Sequence, residues 1–258
     1  MIIDTNVDLF RWPFRRIAGD EPGELVALLR KKGVTQAWAG TYEGLLHRDV
    51  GGVNTRLAAA CKLHGPNFLV PFGTVNPKEP DWQEDLRRCQ EVHKMPGIRL
   101  YPSYHGYGLD DPVAADLFSL VAKRKMLLQI GLCMEDPRVQ FPLMKVPPTD
   151  PGPLVDLAKQ NPTLKIEALN VGYWGGPRTS HMEEVGKLEN VYFDIAYREG
   201  VGGVAKFITE TAPDRVMFGS HFPFFYWESA FLKVREAGLA LDQEKAVLEG
   251  NARAFLKG

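Results

Sequence analysis

Short apolar runs rich in β-branched and aromatic residues alternate with amphipathic stretches along the whole chain. The first run covers residues 2–8. A helical stretch over about 22–33 follows, opening at Pro22, a favourable first-turn residue, and stopping at Gly33. The alternation then repeats, with strands expected over 35–40, 67–74, 97–101, 126–131, 164–170, 191–196 and 216–220. Helices are expected over about 53–64, 81–94 and 112–124, and two more, about 226–237 and 242–257, close the chain. The run at 126–131 is nearly all apolar, as a strand covered on both faces should be. Eight strand–helix units joined by right-handed crossovers predict an α/β protein, a single (β/α)8 TIM barrel spanning residues 1–258. A doubly wound open sheet is the rival, but no glycine-rich phosphate turn follows the first strand. The Pro-rich segment 134–153 breaks the alternation and reads as a lid or as partly disordered.

Composition narrows the partners. The 258 residues match the roughly 250 that such a barrel needs. A net charge of −1, with no basic block or acidic tail, argues against nucleic acid or a charged membrane and leaves a small-molecule substrate as the expected partner. No apolar stretch of about 18 residues is present, and Met1-Ile2-Ile3-Asp4 does not read as a secretory signal. Cys61, Cys89 and Cys133 are odd in number and widely spaced, so reduced, mostly buried thiols in a cytoplasmic protein are expected. Apolar positions near the C-terminal helices suggest a homodimer.

Barrel chemistry sits at the C-terminal ends of the strands. There the sequence offers Asn6 and Asp8, two apart and so on one face, then Tyr42, Arg99, Tyr101, Asn170, Asp194 and His221. Gly219 and Pro223 bracket His221, so the backbone should turn and present the imidazole. A buried Arg99 needs an anion, either a substrate carboxylate or internal Asp8 or Asp194. Tyr101, Tyr104, His105 and Tyr107 form an aromatic, hydrogen-bonding wall suited to a cyclic or aromatic ligand. Trp174 and Phe224-Phe225-Tyr226-Trp227 either extend that wall or close the barrel top. Asn6 and Asn170 are candidate donors to an oxyanion. His47 is a marginal candidate, while Glu167, of opposite parity to Asn170, is expected to face the helices.

These features resemble the amidohydrolase superfamily, in particular amidohydrolase family 2, the branch of small metal-dependent hydrolases, lactonases and decarboxylases. The resemblance rests on Ile3-Asp4-Thr5-Asn6-Val7-Asp8, Gly97-Ile98-Arg99-Leu100, Tyr104-His105-Gly106-Tyr107 with Asp110-Asp111-Pro112, Gly219-Ser220-His221-Phe222-Pro223, and Gly250-Asn251-Ala252. Where that family places a His-x-His pair, this chain has Asn6-Val7-Asp8. Gly131 and Asn170 stand where it places two further histidines, and His221 where it places an aspartate. Only Asp8 and His221 remain as good ligands, short of the three that a catalytic zinc requires. No cofactor and no tightly bound metal are therefore expected.

The resemblance also implies that Asp8 and His221 lie close together, since both positions reach toward a shared ion in the family, and form a direct carboxylate–imidazole pair that raises the His221 pKa and fixes its tautomer. The resulting expectation is a hydrolase of a small, cyclic or aromatic, carboxylate-bearing ester, lactone or amide. In it His221 acts as general base or acid, Asp8 orients it, and Arg99, Asn6, Tyr101, His105 and Asn170 contact the substrate. Two alternatives stand: a catalytically silent ligand-binding barrel, and a rearranged metal site on Asp8 and His221.

Overall fold

A computed structural model describes residues 1–172 and 179–257, without the side chains of 179–182 and 210. Seven strands form one parallel sheet in sequence order: β1 Ile2–Leu9, β2 Val34–Thr41, β3 Leu69–Gly73, β4 Gly97–Leu100, β5 Leu127–Gly131, β6 Ile166–Leu169 and β7 Val191–Phe193. The helices between them are α1 Pro22–Lys31, α2 Val50–His64, α3 Trp82–Glu91, α4 Pro112–Lys123, α5 Leu154–Gln160 and α6 Thr179–Gly186, and α7 Gly203–Glu210 follows β7. Three more, α8 Trp227–Glu236, α9 Leu241–Lys245 and α10 Asn251–Leu256, end the chain. Pro22 and Pro112 open α1 and α4 as expected, and Asp111 caps α4 by accepting from the Val113 N–H at 3.2 Å. Among the described residues no helix is long and apolar enough to cross a membrane.

The eighth strand expected at 216–220 is not built as a strand. Residues 215–222 nevertheless run between β7 and β1. On one side the Met217 N–H donates to Phe193 O at 2.8 Å; on the other, Thr5 N–H donates to Phe218 O at 2.9 Å and His221 N–H to Asn6 O at 2.8 Å. Only isolated bridges result, Phe193 with Val216 and Val7 with Phe222. The reason lies in competing acceptors. The Ser220 N–H goes to the Asp4 carboxylate at 3.0 Å, and the Phe218 N–H to Val247 O at 2.9 Å, so the ladder is interrupted twice within three residues. The result is barrel-like, with seven regular strands and an irregular closing segment.

The interior has three layers. At the floor, Ile3, Trp38, Phe72, Leu127 and Met217 pack against Phe255 of α10. The middle layer is polar and buried: Thr5, Asn6, Asp8, Arg99, Gln129, Glu167, Asn170, Asp194 and His221. Above it Trp12, Tyr42, Leu45, Tyr101 and Met134 form an aromatic cap, with Phe14, Tyr104 and Phe224 packed against it. A larger apolar cluster joins the outer sheet face to the helices.

Segment 134–153 belongs to this cover. Met134 is buried in the cap, the Thr149 N–H bonds Leu132 O at 2.7 Å, and the Gln140 side chain both donates to Val146 O and accepts from its N–H. Cys61, Cys89 and Cys133 are free and buried, and burial pushes each thiol up to about 12, which removes them as nucleophiles near neutral pH.

Candidate functional site

The polar layer is organised by β1. Between Asp4 and Val7 this strand advances three residues while β2 advances two, from Ala37 to Ala39, so β1 carries an extra residue. The bulge lets Thr5 and Asn6 both reach barrel-interior partners. Thr5 Oγ1 donates to Glu167 at 2.5 Å, and Asn6 Nδ2 donates to Asn170 Oδ1 at 2.8 Å and to Asp194 Oδ2 at 2.6 Å. Two residues on, Asp8 is inward as well.

Arg99 is the hub. Its Nε donates to Gln129 at 2.9 Å; Nη1 donates to Asp8 Oδ1 at 2.9 Å and to Val7 O at 3.0 Å; Nη2 donates to Thr5 O and Trp38 O, both at 3.3 Å. Every guanidinium N–H is thus engaged by the barrel itself, and none is left for a substrate carboxylate. Of the two readings open for Arg99, this geometry is the internal one, with Asp8 as partner. Gly40 makes the pairing possible, because a Cβ there would stand 2.6 Å from both Arg99 Nη1 and Asp8 Oδ1.

Asp8 and His221 are both completely buried. Asp8 Oδ1 also accepts from Tyr101 Oη at 3.1 Å, whereas Oδ2 has no protein partner. His221 Nδ1 lies 3.8 Å from that Oδ2 and has none either. The two groups are adjacent, but the direct carboxylate–imidazole pair expected of them does not form, because 3.8 Å is beyond hydrogen-bond reach. The other ring nitrogen explains why. Nε2 sits 3.0 Å from Met134 O, and a carbonyl only accepts, so Nε2 carries the hydrogen and Nδ1 of the neutral ring is a bare acceptor. Two acceptors face each other.

Burial also lowers the His221 pKa, against the opposing pull of Asp8. A neighbouring carboxylate by itself raises a histidine pKa, but here that carboxylate is already paired with Arg99. The ring is held between Phe224, stacked at 5.1 Å, and Phe225, edge-on at 5.4 Å. The turn expected at this residue is real, with His221 at φ +57 in the left-handed region, but it buries the imidazole under Phe224 and Phe225 rather than presenting it.

The other expected contacts are placed differently. Asn6 and Asn170 are committed to each other and to their neighbours, Asn170 Nδ2 donating to Cys133 O at 2.7 Å and to Met134 Sδ at 3.8 Å, so both hydrogens of each amide are directed at protein acceptors. Tyr101 is engaged with Asp8 and Thr41 O. His105 is half-buried beside Tyr101 and Tyr107, its Nε2 2.8 Å from Gly44 O and its Nδ1 buried without a partner, and His47 is exposed. Phe224 serves both the cap and His221, and Trp174 lies outside the described residues.

Glu167 is a correction. It faces the interior, bonded to Thr5 and to Gln129 Nε2 at 2.6 Å. The parity count failed because Asn170 lies beyond the end of β6 at φ +60, where strand alternation no longer holds.

Carboxylates outnumber cations in this layer. Burial pushes Asp4 up to about 7, Asp194 to about 6 and Glu167 to about 8, despite the hydrogen bonds that each accepts. The cap holds Trp12, which lies outside the expected elements and to which the sequence assigns no role, and Tyr42, which the sequence offers at the end of β2 without a specific role. Trp12 Nε1 and Tyr42 Oη are buried and unpartnered. No sequence pattern marks Met134, whose carbonyl fixes the His221 tautomer.

The donor set does not suit a metal. Asp8 keeps one open oxygen beside a guanidinium, His221 one nitrogen, and Asn6 and Asn170 are already bonded. Among the described residues no group of three or more His, Cys, Asp or Glu side chains converges on a common point.

The amidohydrolase sequence profile matches residues 11–258. The chain belongs to the amidohydrolase family. The β1 candidates Asn6 and Asp8 precede the matched region. Several solved structures are similar throughout. The 2,6-dihydroxybenzoate decarboxylase from Rhizobium is 15% identical, with a TM-score of 0.70 over 98% of this chain and 99% of that one. The 5-carboxyvanillate decarboxylase from Novosphingobium aromaticivorans, complexed with manganese and 4-hydroxy-3-methoxy-5-nitrobenzoic acid, is 16% identical, with a TM-score of 0.75 over 100% and 96%. The 4-oxalomesaconate hydratase from Rhodopseudomonas palustris is 17% identical, with a TM-score of 0.73 over 100% and 96%. At these identities the likeness is one of fold. No curated protein matches the sequence.

Proposed function

We propose that this amidohydrolase-family protein is a hydrolase that works without a metal, acting on a small, cyclic or aromatic ester, lactone or amide. The observation that carries the reading is the facing pair of buried acceptors, Asp8 Oδ2 and His221 Nδ1, 3.8 Å apart and without protein partners. A donor placed between two such acceptors bonds both: bonds of about 2.8 Å would meet at about 85°, within reach of a water molecule. In this mechanism the water oxygen attacks the substrate carbonyl while His221 Nδ1 takes the proton. Asp8, fixed by Arg99 and Tyr101, orients the water and stabilises the imidazolium that forms. Proton return to the leaving group completes the turnover. The carboxylate in the expected substrate is not retained, because Arg99 has no donor free for it. For the same reason decarboxylation of an aromatic acid, the chemistry named for two of the similar structures, is less well supported here.

A catalytically silent barrel that binds a ligand is the second reading, favoured by the complete burial of the polar layer under the cap. Native protein and His221→Ala, assayed on a panel of lactones, aryl esters and amides with and without chelator, separate the readings. Turnover that survives chelation and is lost in the variant supports the hydrolase. Turnover abolished by chelator returns the metal, and no turnover at all leaves the binding barrel.

A further inference from the structure

The cap holds donors where the polar layer holds acceptors. Trp12 Nε1 and Tyr42 Oη are both buried, and neither has a protein partner. An unpaired buried N–H or O–H is costly, and native proteins satisfy nearly all of them. The two rings touch edge to face at 5.2 Å; Trp12 packs on Phe224 at 4.9 Å, and Phe224 stacks on His221 at 5.1 Å. The aromatic chain therefore runs directly from these donors to the imidazole. Burial, and after it the Asp8 charge, raises the Tyr42 pKa well above its ordinary value, so the hydroxyl keeps its hydrogen to donate. Asn6 and Asn170 cannot take this role, since their amide hydrogens are engaged.

We infer that Trp12 and Tyr42 bind the carbonyl oxygen of the ligand, opposite the Asp8–His221 acceptors. The site then reads a neutral group with an acceptor at one end and a donor, or an attacking water, at the other. A carboxylate would meet Asp8 beside Arg99, whose N–H groups are all engaged by the barrel. This inference rests on the hydrolase reading for its chemistry, but binding tests it separately.

The probes are benzamide and benzoate, nearly equal in shape and different in charge. Calorimetric titration near neutral pH is expected to show benzamide binding at least about tenfold more tightly than benzoate. Tyr42→Phe, which keeps the ring, and Trp12→Phe, which keeps an aromatic ring without the donor, should each weaken benzamide by about fivefold to thirtyfold, in line with one lost hydrogen bond. Benzoate binding as well as benzamide, neither probe binding, or both variants binding benzamide like the parent would overturn the inference. Benzamide binding with the expected losses, alongside a protein that hydrolyses nothing, would uphold the inference and sink the hydrolase. Ester turnover unchanged in both variants would do the reverse.

Discussion

Asp8 Oδ2 and His221 Nδ1 face each other across 3.8 Å in a fully buried layer, and neither has a hydrogen-bond partner within the protein. On the hydrolytic reading, His221→Ala should lower kcat by about 10²–10⁴-fold, the usual contribution of a general base, with an unchanged far-ultraviolet circular dichroism spectrum. Full activity in that variant would exclude the imidazole as base.

The same imidazole sets the acid limb of the pH profile. Burial lowers its pKa below 6.5, so the neutral, proton-accepting form persists below the ordinary histidine range. The rate should hold steady as pH falls to about 6.5 and decline only further into acid. A midpoint above that value would mean that another group controls the reaction.

Arg99 and Asp8 form a buried ion pair at 2.9 Å, both essentially inaccessible to water. Removing one partner strands the other charge. Arg99→Met and Asp8→Asn should each destabilise the fold by about 3–5 kcal/mol, and the double variant should lose less than the sum. Urea unfolding midpoints of the three variants check this; strict additivity would show that the charges are not coupled.

Glu167 gives a stability signature of opposite sign to a salt-bridged carboxylate. Its folded pKa is raised from 4.5 to about 8 by burial, so the folded state holds the proton that the unfolded chain releases. Its favourable contribution is complete below about pH 4.5 and is lost as pH rises toward about 8. Glu167→Gln should match the parent near pH 4 and exceed it above about pH 8. The gain should follow the separation between the folded and unfolded pKa values, at roughly 1.4 kcal/mol for each pH unit between them. Parallel stability curves for the two proteins would refute the assignment.

Access to the site requires the cap to move. Arg15 ties the segment after β1 to buried Glu135 at 2.6 Å and lies over the Phe224 ring at 5.1 Å. Arg15→Ala should leave that carboxylate unpaired and loosen the cover. Amide hydrogen exchange at residues 10–20 and 134–140 should speed up, with the strands unaffected.

The alternation of apolar runs and helical stretches determined the parallel strand order, the positions of α1 to α4 and the inward direction of Asn6, Asp8, Arg99 and His221. Those features follow from local periods, from proline and glycine punctuation, and from the rule that strand ends carry chemistry. Tertiary structure alone decided what these residues do to one another. The bulge in β1 placed Thr5 and Asn6 together, Asp4 captured the Ser220 N–H and broke the eighth strand, and Glu167 turned inward to meet Gln129. Arg99 found Asp8 because Gly40 left room, a contact between strands 91 residues apart in sequence. Hydrogen-bond partners and burial are set by the approach of distant strands, whereas sequence periodicity reports only the side on which a residue lies.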